Sequence, residues 1–203
     1  MDTLQQVQKT RKLVIISSAL IVAAPLLFTR SWWPPAGNVH ETLETAGVWA
    51  VILCIIGRVW CSLYIGGRKK AEIVRDGPYS ISRNPLYVFS IIGAAGIGAA
   101  IGSVLLAALF AFACYLLFSQ VVAKEEVYLK ERHGAAYEVY LAEVPRFFPN
   151  FRLWQDASTL NVQPRLVVRT LLDSSLFLLA FPFFELLEWL QGAGYLATPL
   201  MLP

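Results

Sequence analysis

The longest uncharged stretch of this chain, from Tyr87 to Val122, is what most constrains its fold. A helix rises about 1.5 Å per residue and needs roughly 20 residues to cross the apolar core of a bilayer. The stretch is therefore too long for one crossing and just long enough for two. One serine and four glycines mark the predicted turn: Gly93, Gly96, Gly98, Gly102 and Ser103. The pattern predicts a tight helical hairpin in a membrane.

The composition agrees with lipid as the solvent. Hydrophobic residues make up 57% of the chain and charged residues 15%, whereas soluble domains average about 45–50% and about 25%. The net charge of +3 is not concentrated in a basic stripe, so we expect no nucleic-acid partner. The three cysteines form no CxxC pair, and the two histidines lie far apart, so no metal-ligand spacing appears.

Three further apolar runs complete the predicted architecture. They cover residues 13–28, residues 46–65 with Arg58 inside, and residues 166–190, which also carry several charges. We predict an all-α, polytopic integral membrane bundle that forms one domain over residues 1–203. The first two runs and the two arms of the hairpin give four crossings, and residues 166–190 give an additional membrane helix that spans or lies in the interface. The tail after Gly192 has no functional interpretation.

The basic residues predict an orientation, because cytoplasmic loops are enriched in lysine and arginine. One group precedes the first run, one follows the second and one follows the hairpin: Lys9, Arg11 and Lys12; Arg68, Lys69, Lys70, Arg75 and Arg83; Lys124, Lys130, Arg132, Arg146, Arg152 and Arg165. All three groups fall on one side if each span crosses once. The N-terminus and the polar segments 66–86 and 123–165 are therefore predicted to be cytoplasmic, and these segments are where we expect the chemistry.

Both polar segments carry a motif. The first reads GPYSISRNPLY from Gly77 to Tyr87, and the second reads EEVYLKERHGAAYEVYLAEVPRFFP from Glu125 to Pro149. With a hydrophobic hairpin between them, they resemble the isoprenylcysteine carboxyl methyltransferases and the related phospholipid N-methyltransferases. The resemblance covers about a third of the chain. It implies a membrane-embedded methyltransferase that uses S-adenosyl-L-methionine and has its cofactor segments in the cytoplasm.

The resemblance also implies roles for individual residues. Those expected at the cofactor are Tyr79, Arg83, Asn84, Pro85, Tyr87, Glu125, Glu126, Tyr137 and Tyr140, and those expected to be catalytic are Arg83, Glu126 and Arg146. Many members of the family have histidine where this chain has Asn84. An amide forms hydrogen bonds but does not titrate near neutral pH. This departure puts a proton-transfer role of that position in doubt.

The residue types suit the cofactor. S-adenosylmethionine needs a cation for its carboxylate, a carboxylate for its ammonium group, and aromatic walls for its ring and its sulfonium. A carboxylate acceptor needs no general base, whereas an amine acceptor must lose a proton, with which Glu126 or a tyrosine could help. We expect a lipid-like acceptor, because a site at helix ends opens sideways into membrane lipids. A charge within a span usually faces protein or water, so Arg58 is a candidate substrate-binding residue.

Several alternatives stay open at this stage. The resemblance favours O-methylation of a carboxylate on a lipid-like thioether, and N-methylation of an amine lipid is the second reading. Membrane sterol reductases that use NADPH carry a similar R-x-P-x-Y motif but are longer, and a non-enzymatic scaffold would explain the spans without the motifs. Individually, Arg83 and Arg146 are also typical membrane-surface cations, and the two motif tyrosines are typical interfacial residues.

Overall fold

The computed structural model describes residues 29–34, 37–68, 71–196 and 199–203. The first predicted run, residues 13–28, lies outside these ranges. The helices are α1 (Asn38–Ile65), α2 (Pro78–Ile81), α3 (Pro85–Ala99), α4 (Val104–His133), α5 (Ala135–Glu143), α6 (Pro164–Ser175) and α7 (Ala180–Gly192). Two 3₁₀ turns cover Phe151–Leu153 and Leu176–Leu179, and two short strands are β1 (Thr29–Ser31) and β2 (Leu200–Leu202).

Three helices are long and apolar enough to cross a membrane. They are α1, α4 and the continuous helical stretch Pro164–Gly192, which joins α6 and α7 through a 3₁₀ turn. The additional helix predicted over residues 166–190 is therefore long enough to span. The first arm of the hairpin, α3, has 15 residues, or about 22 Å, which is short of the roughly 30 Å apolar core. The prediction of four crossings is met only in part.

The predicted hairpin forms, and its turn is shorter in sequence than the glycine pattern predicts. Only Gly102 of the four glycines lies in the turn, with φ +69°. The other three belong to α3, where they permit close packing. A Cβ on Gly96 would lie 2.8 Å from the carbonyl oxygen of Gly47 on α1, and a Cβ on Gly47 would lie 2.7 Å from the carbonyl oxygen of Gly96. The two glycines thus let α1 and α3 cross with their backbones in contact.

The all-α prediction needs one correction, because β1 and β2 form a parallel pair with Arg30 opposite Met201. This pair brings the C-terminal tail to the turn of the hairpin, where the amide of Leu105 donates to the carbonyl oxygen of Pro203 at 3.1 Å. Ser31 Oγ donates to the carbonyl oxygen of Gly102 at 2.8 Å. Strands of three residues are too short to show an alternating pattern in sequence.

The four long helical stretches α1, α3, α4 and Pro164–Gly192 run in alternating directions, so their ends meet in two layers. One layer holds the hairpin turn, the strands and the contact between His40 Nε2 and Glu188 Oε1 at 3.3 Å. The opposite layer holds the end of α1, the starts of α3 and α6, the charged end of α4, and α5. Gly134, with φ +54°, separates α4 from α5. The motif segments therefore gather at one end of the bundle.

Candidate active site

A pocket opens at the layer that carries the motifs. Its lining combines one arginine, three glutamates and four tyrosines with an asparagine and apolar side chains. The complete set is Ile65, Glu72, Ile73, Val74, Tyr79, Arg83, Asn84, Leu86, Tyr87, Glu125, Glu126, Leu129, Tyr137 and Tyr140. The walls come from the end of α1, the segment before α2, α2 and its connection to α3, the start of α3, the charged end of α4, and α5.

Arg83 is held firmly at the edge of this pocket. Its Nη1 donates to the carbonyl oxygens of Leu141 and Val144, both at 2.6 Å, which end α5. Its Nη2 donates to Glu126 Oε1 at 3.0 Å. The remaining nitrogen, Nε, is buried and has no hydrogen-bond partner among the described residues. Arg83 therefore joins the first motif to the second and keeps one donor for a further group.

Glu126 lies between two arginines. Arg146 donates to it through Nε, at 3.2 Å from Oε1, and through Nη2 to Oε2. Since Arg83 also donates to Oε1, both oxygens of Glu126 accept from guanidinium groups. The side chains of Arg83 and Glu126 are 10% and 12% exposed, whereas that of Arg146 is 44% exposed. The carboxylate thus carries a shielded ion pair on one side and a solvated one on the other.

The G-x-Y motif makes a tight turn under the pocket. Gly77 has φ +56°, which favours glycine, and a Cβ there would lie 2.3 Å from the ring of Tyr64. Its amide donates to the carbonyl oxygen of Gln155 at 2.7 Å. Tyr79 follows two positions later and is 4% exposed. Its Oη is buried without a hydrogen-bond partner in the described part of the chain.

Burial sets the protonation of the tyrosines in this pocket. It raises the pKa of Tyr79 well above the ordinary value for a phenol. Burial, helped by the nearby charge of Glu126, raises the pKa of Tyr137 to about 12. Burial also raises the pKa of Tyr140, whose hydroxyl donates to the carbonyl oxygen of Tyr79 at 2.8 Å. All three hydroxyls therefore stay protonated at neutral pH.

An aromatic and acidic wall stands at the start of α3. Tyr87 Oη donates to Glu125 Oε2 at 3.2 Å. The ring of Tyr87 stacks on Phe118 of α4, with centroids 4.5 Å apart. Because the third residue of α3 meets the second half of α4 here, the hairpin itself brings the two motifs together.

The V-P-R segment lines up along the R-N-P segment. The amide of Arg83 donates to the carbonyl oxygen of Pro145 at 2.9 Å. Ser82 Oγ donates to the carbonyl oxygen of Phe147 at 3.0 Å, and Asn84 Nδ2 donates to that of Arg146 at 3.1 Å. Asn84, which replaces the family histidine, thus uses its side-chain amide to hold the backbone of the second motif.

The structure brings most of the predicted residues together. Eight of them line the pocket: Tyr79, Arg83, Asn84, Tyr87, Glu125, Glu126, Tyr137 and Tyr140. Three others do not line it. Pro85 is buried as the first residue of α3. Arg146 reaches the site only through Glu126, and Arg58 lies deeper along α1.

Sequence reasoning missed one charged residue of the pocket wall. Glu72 lines the pocket and accepts a hydrogen bond from Arg68 Nε at 2.9 Å. Glu72 belongs to neither motif. The one sequence feature that points to a role in the pocket is its acidic side chain within the predicted polar segment 66–86. Its apolar neighbours Ile73 and Val74 also line the pocket.

Comparison with known proteins identifies the family. The sequence model of the phospholipid methyltransferase family matches residues 45–136. The nickel-cobalt-cadmium resistance protein NccN of Alcaligenes xylosoxydans xylosoxydans is 36% identical over 94% of this chain and 87% of its own length. The cobalt-zinc-cadmium resistance protein CzcN of Cupriavidus metallidurans is 37% identical over 86% of this chain and 80% of its own length.

A more distant relative carries a methyltransferase name. The protein-S-isoprenylcysteine O-methyltransferase of Schizosaccharomyces pombe is 36% identical over 77 residues, which are 38% of this chain and 33% of that protein. No solved structure matches the chain. The family match begins within α1, covers the first motif and the hairpin, and ends within α5. The chain therefore belongs to the family of membrane methyltransferases that includes the phospholipid and isoprenylcysteine methyltransferases.

Proposed function

We propose that this protein transfers a methyl group from S-adenosylmethionine to the carboxylate of a lipid-like acceptor that enters from the bilayer. The observation that carries the proposal is the pocket itself, in which Arg83, Glu125 and four tyrosines converge at the ends of membrane-spanning helices. Family membership supports methyl transfer as the reaction class.

The residues of the pocket fit the methyl donor. Two buried polar atoms, Arg83 Nε and Tyr79 Oη, have no partner among the described residues, so each has hydrogen-bonding capacity for a ligand. Glu72 and Glu125 supply carboxylates for the ammonium group, and the ring of Tyr87 supplies an aromatic face for the sulfonium. When bound, S-adenosylmethionine supplies a methyl group activated by the positive sulfur.

The residues that the sequence suggests as a general base, Glu126 and the tyrosines, are poorly suited to that role, which favours a carboxylate acceptor. The described residues that line the pocket include no histidine, lysine or cysteine. Both oxygens of Glu126 accept from arginines, and the tyrosines with raised pKa values stay protonated. A carboxylate is already ionised at neutral pH, so its oxygen can attack without losing a proton. The task of the protein is then to position the two reactants and exclude water, which can supply roughly 7–11 kcal/mol.

The surroundings of the pocket favour an acceptor from the membrane. Three apolar helices converge on this layer, and the segment after α5 exposes two large aromatic side chains, Phe148 and Phe151, which are 84% and 73% exposed. Aromatic side chains of this kind are typical of the membrane interface. The basic residues around both motifs favour a cytoplasmic position for this layer, where S-adenosylmethionine is available.

N-methylation of an amine lipid is the second candidate. It is favoured by the acidic side chains Glu72 and Glu125 in the pocket, which attract an ammonium group, and by the name of the matching family. This reaction would require a carboxylate to accept a proton, and Glu125, which accepts from Tyr87, is the better placed because Glu126 is held by two arginines.

The names of two relatives suggest an indirect role of this protein in metal resistance. Among the described residues, no three side chains of His, Cys, Asp or Glu lie close enough to hold a metal ion. We propose that any contribution of this chain to metal resistance acts through a membrane component that it methylates. A strain lacking this gene would then regain metal tolerance with the wild-type chain but not with Arg83→Gln.

The reaction is tested with radiolabelled S-adenosylmethionine and purified protein in lipid nanodiscs. Two acceptors are compared, N-acetyl-S-farnesylcysteine as the carboxylate and phosphatidylethanolamine as the amine. The proposal predicts label in a base-labile methyl ester of the first acceptor. Label in the amine lipid alone would favour the second candidate, and label in neither acceptor, together with no binding of S-adenosylhomocysteine, would contradict methyl transfer.

A further inference from the structure

Arg58 is a charged side chain inside the membrane-spanning helix α1. It lies two turns from Ile65, which lines the pocket. Its Nε donates to Ser174 Oγ at 2.8 Å, and its Nη1 donates to Ser90 Oγ. Ser174 is fully buried, and Ser90 is 4% exposed. Two serines from two other helices therefore fix the orientation of the guanidinium group.

The serines orient this charge without neutralising it. Among the described residues, no carboxylate lies within 4.0 Å of Arg58, in contrast to Arg83, which has Glu126. The only acidic residue of the sequence outside the described ranges is Asp2. A charged side chain within a bilayer is costly and usually marks a substrate or ion site. Arg58 thus has the properties expected of a binding residue for an anionic ligand.

The position of Ser90 shows how far the guanidinium group of Arg58 lies from the pocket. Ser90 Oγ also donates to the carbonyl oxygen of Leu86 at 2.9 Å, one turn back along α3. Leu86 and Tyr87 both line the pocket. The guanidinium group of Arg58 therefore lies about one helical turn from the pocket wall, on the side that faces the interior of the membrane. An acceptor that enters from the bilayer approaches the pocket from this side.

We propose that Arg58 binds the acceptor carboxylate and presents its oxygen to the methyl donor. This inference rests on the proposed function, and it adds the residue that selects the acceptor. Arginine suits the role because its planar group binds a carboxylate through paired hydrogen bonds. The same charge repels an ammonium group, so Arg58 discriminates against amine lipids.

The charge balance of the reaction explains how the product leaves. The carboxylate oxygen forms a bond to the methyl carbon while the bond between carbon and sulfur breaks, and the electron pair stays on sulfur. The acceptor becomes a neutral methyl ester, and no proton is transferred. Because the ester no longer forms an ion pair with Arg58, it is released into the bilayer more readily than the substrate.

The test compares Arg58→Gln and Arg58→Lys with the wild-type protein, and Arg169→Gln on the exposed face of α6 serves as the matched control. The KM for N-acetyl-S-farnesylcysteine and the Kd values for that carboxylate, for its methyl ester and for S-adenosylhomocysteine are measured. We expect Arg58→Gln to raise the KM about 10- to 100-fold and to abolish the preference for carboxylate over ester, with binding of S-adenosylhomocysteine unchanged.

Arg58→Lys keeps the charge but loses the paired hydrogen bonds, so we expect a KM between those of the wild-type protein and Arg58→Gln. The lysine variant also tests the inference if the glutamine variant does not fold. An unchanged KM in both variants would overturn the inference. Equal weakening of carboxylate and ester would mean a structural role of Arg58 and would also overturn it. If the wild-type protein itself does not bind S-adenosylhomocysteine, that result would instead contradict the proposed function.

Discussion

Arg83 and Glu126 lie 43 positions apart in sequence and form an ion pair at 3.0 Å, with both side chains nearly buried. The hairpin formed by α3 and α4 makes this contact, because it returns the chain from the first motif to the second. The same carboxylate also accepts from Arg146 at the end of the second motif. One carboxylate thus connects three parts of the chain around the pocket.

Glu126→Gln removes the negative charge between the two arginines. Because breaking a shielded ion pair leaves an unpaired charge, we expect the free energy of unfolding to fall by about 3 kcal/mol and methyl transfer to fall at least tenfold. Chemical unfolding in detergent and the labelled-methyl assay measure these effects. Glu131→Gln, on the exposed surface of α4, is the control. Wild-type stability in Glu126→Gln would contradict the account of this contact.

Two tyrosines of the pocket should respond differently to loss of their hydroxyl groups. Tyr79→Phe removes a hydroxyl with no protein partner among the described residues, so we expect unchanged stability and weaker binding of S-adenosylhomocysteine. Tyr140→Phe removes the donor to the carbonyl oxygen of Tyr79, so we expect a loss of about 1 kcal/mol in stability. Unfolding curves and calorimetric titration of both variants test this. Unchanged ligand binding by Tyr79→Phe would contradict the role of its hydroxyl.

Gly77→Ala tests the turn of the first motif. The backbone has a positive φ there, and a Cβ would meet the ring of Tyr64, so we expect stability to fall by about 1–3 kcal/mol. The matched control is Gly192→Ala at the end of α7, where nothing lies within 4 Å of the added carbon. Comparable unfolding midpoints for the two variants would rule out the described turn.

The pH dependence of the protein follows from the tyrosines. The pKa of Tyr137 is raised to about 12 from about 10 in an unfolded chain. The contribution of Tyr137 to the free energy of unfolding is therefore complete below pH 10 and is lost as the pH rises toward 12.

The pH dependence of the reaction depends on the acceptor instead. A carboxylate acceptor is ionised throughout the neutral range, so we expect kcat to stay flat from pH 7 to about pH 9. A rise in kcat across that range would indicate a titrating base and an amine acceptor.

Much of the architecture follows from patterns in the sequence. The uncharged stretch specifies the hairpin, because a bilayer requires apolar helices of defined length. The two motifs specify most of the pocket, because the hairpin returns one to the other.

Other features depend on contacts that sequence patterns do not show. The pairing of Arg30 with Met201 joins strands of three residues from the two ends of the described chain. Glu72 reaches the pocket through the fold of a segment without regular structure. The paired arginines at Glu126 depend on how the segment after α5 packs along the start of α3, and no local propensity encodes that packing.

The central claim is that the pocket binds S-adenosylmethionine, and calorimetric titration of S-adenosylhomocysteine into the protein in detergent tests it most directly. The account predicts micromolar binding by the wild-type protein and by Arg169→Gln, weakened at least tenfold in Arg83→Gln, with no binding of NADPH. Binding of NADPH in place of S-adenosylhomocysteine, or equal affinity in Arg83→Gln and the wild-type protein, would contradict it.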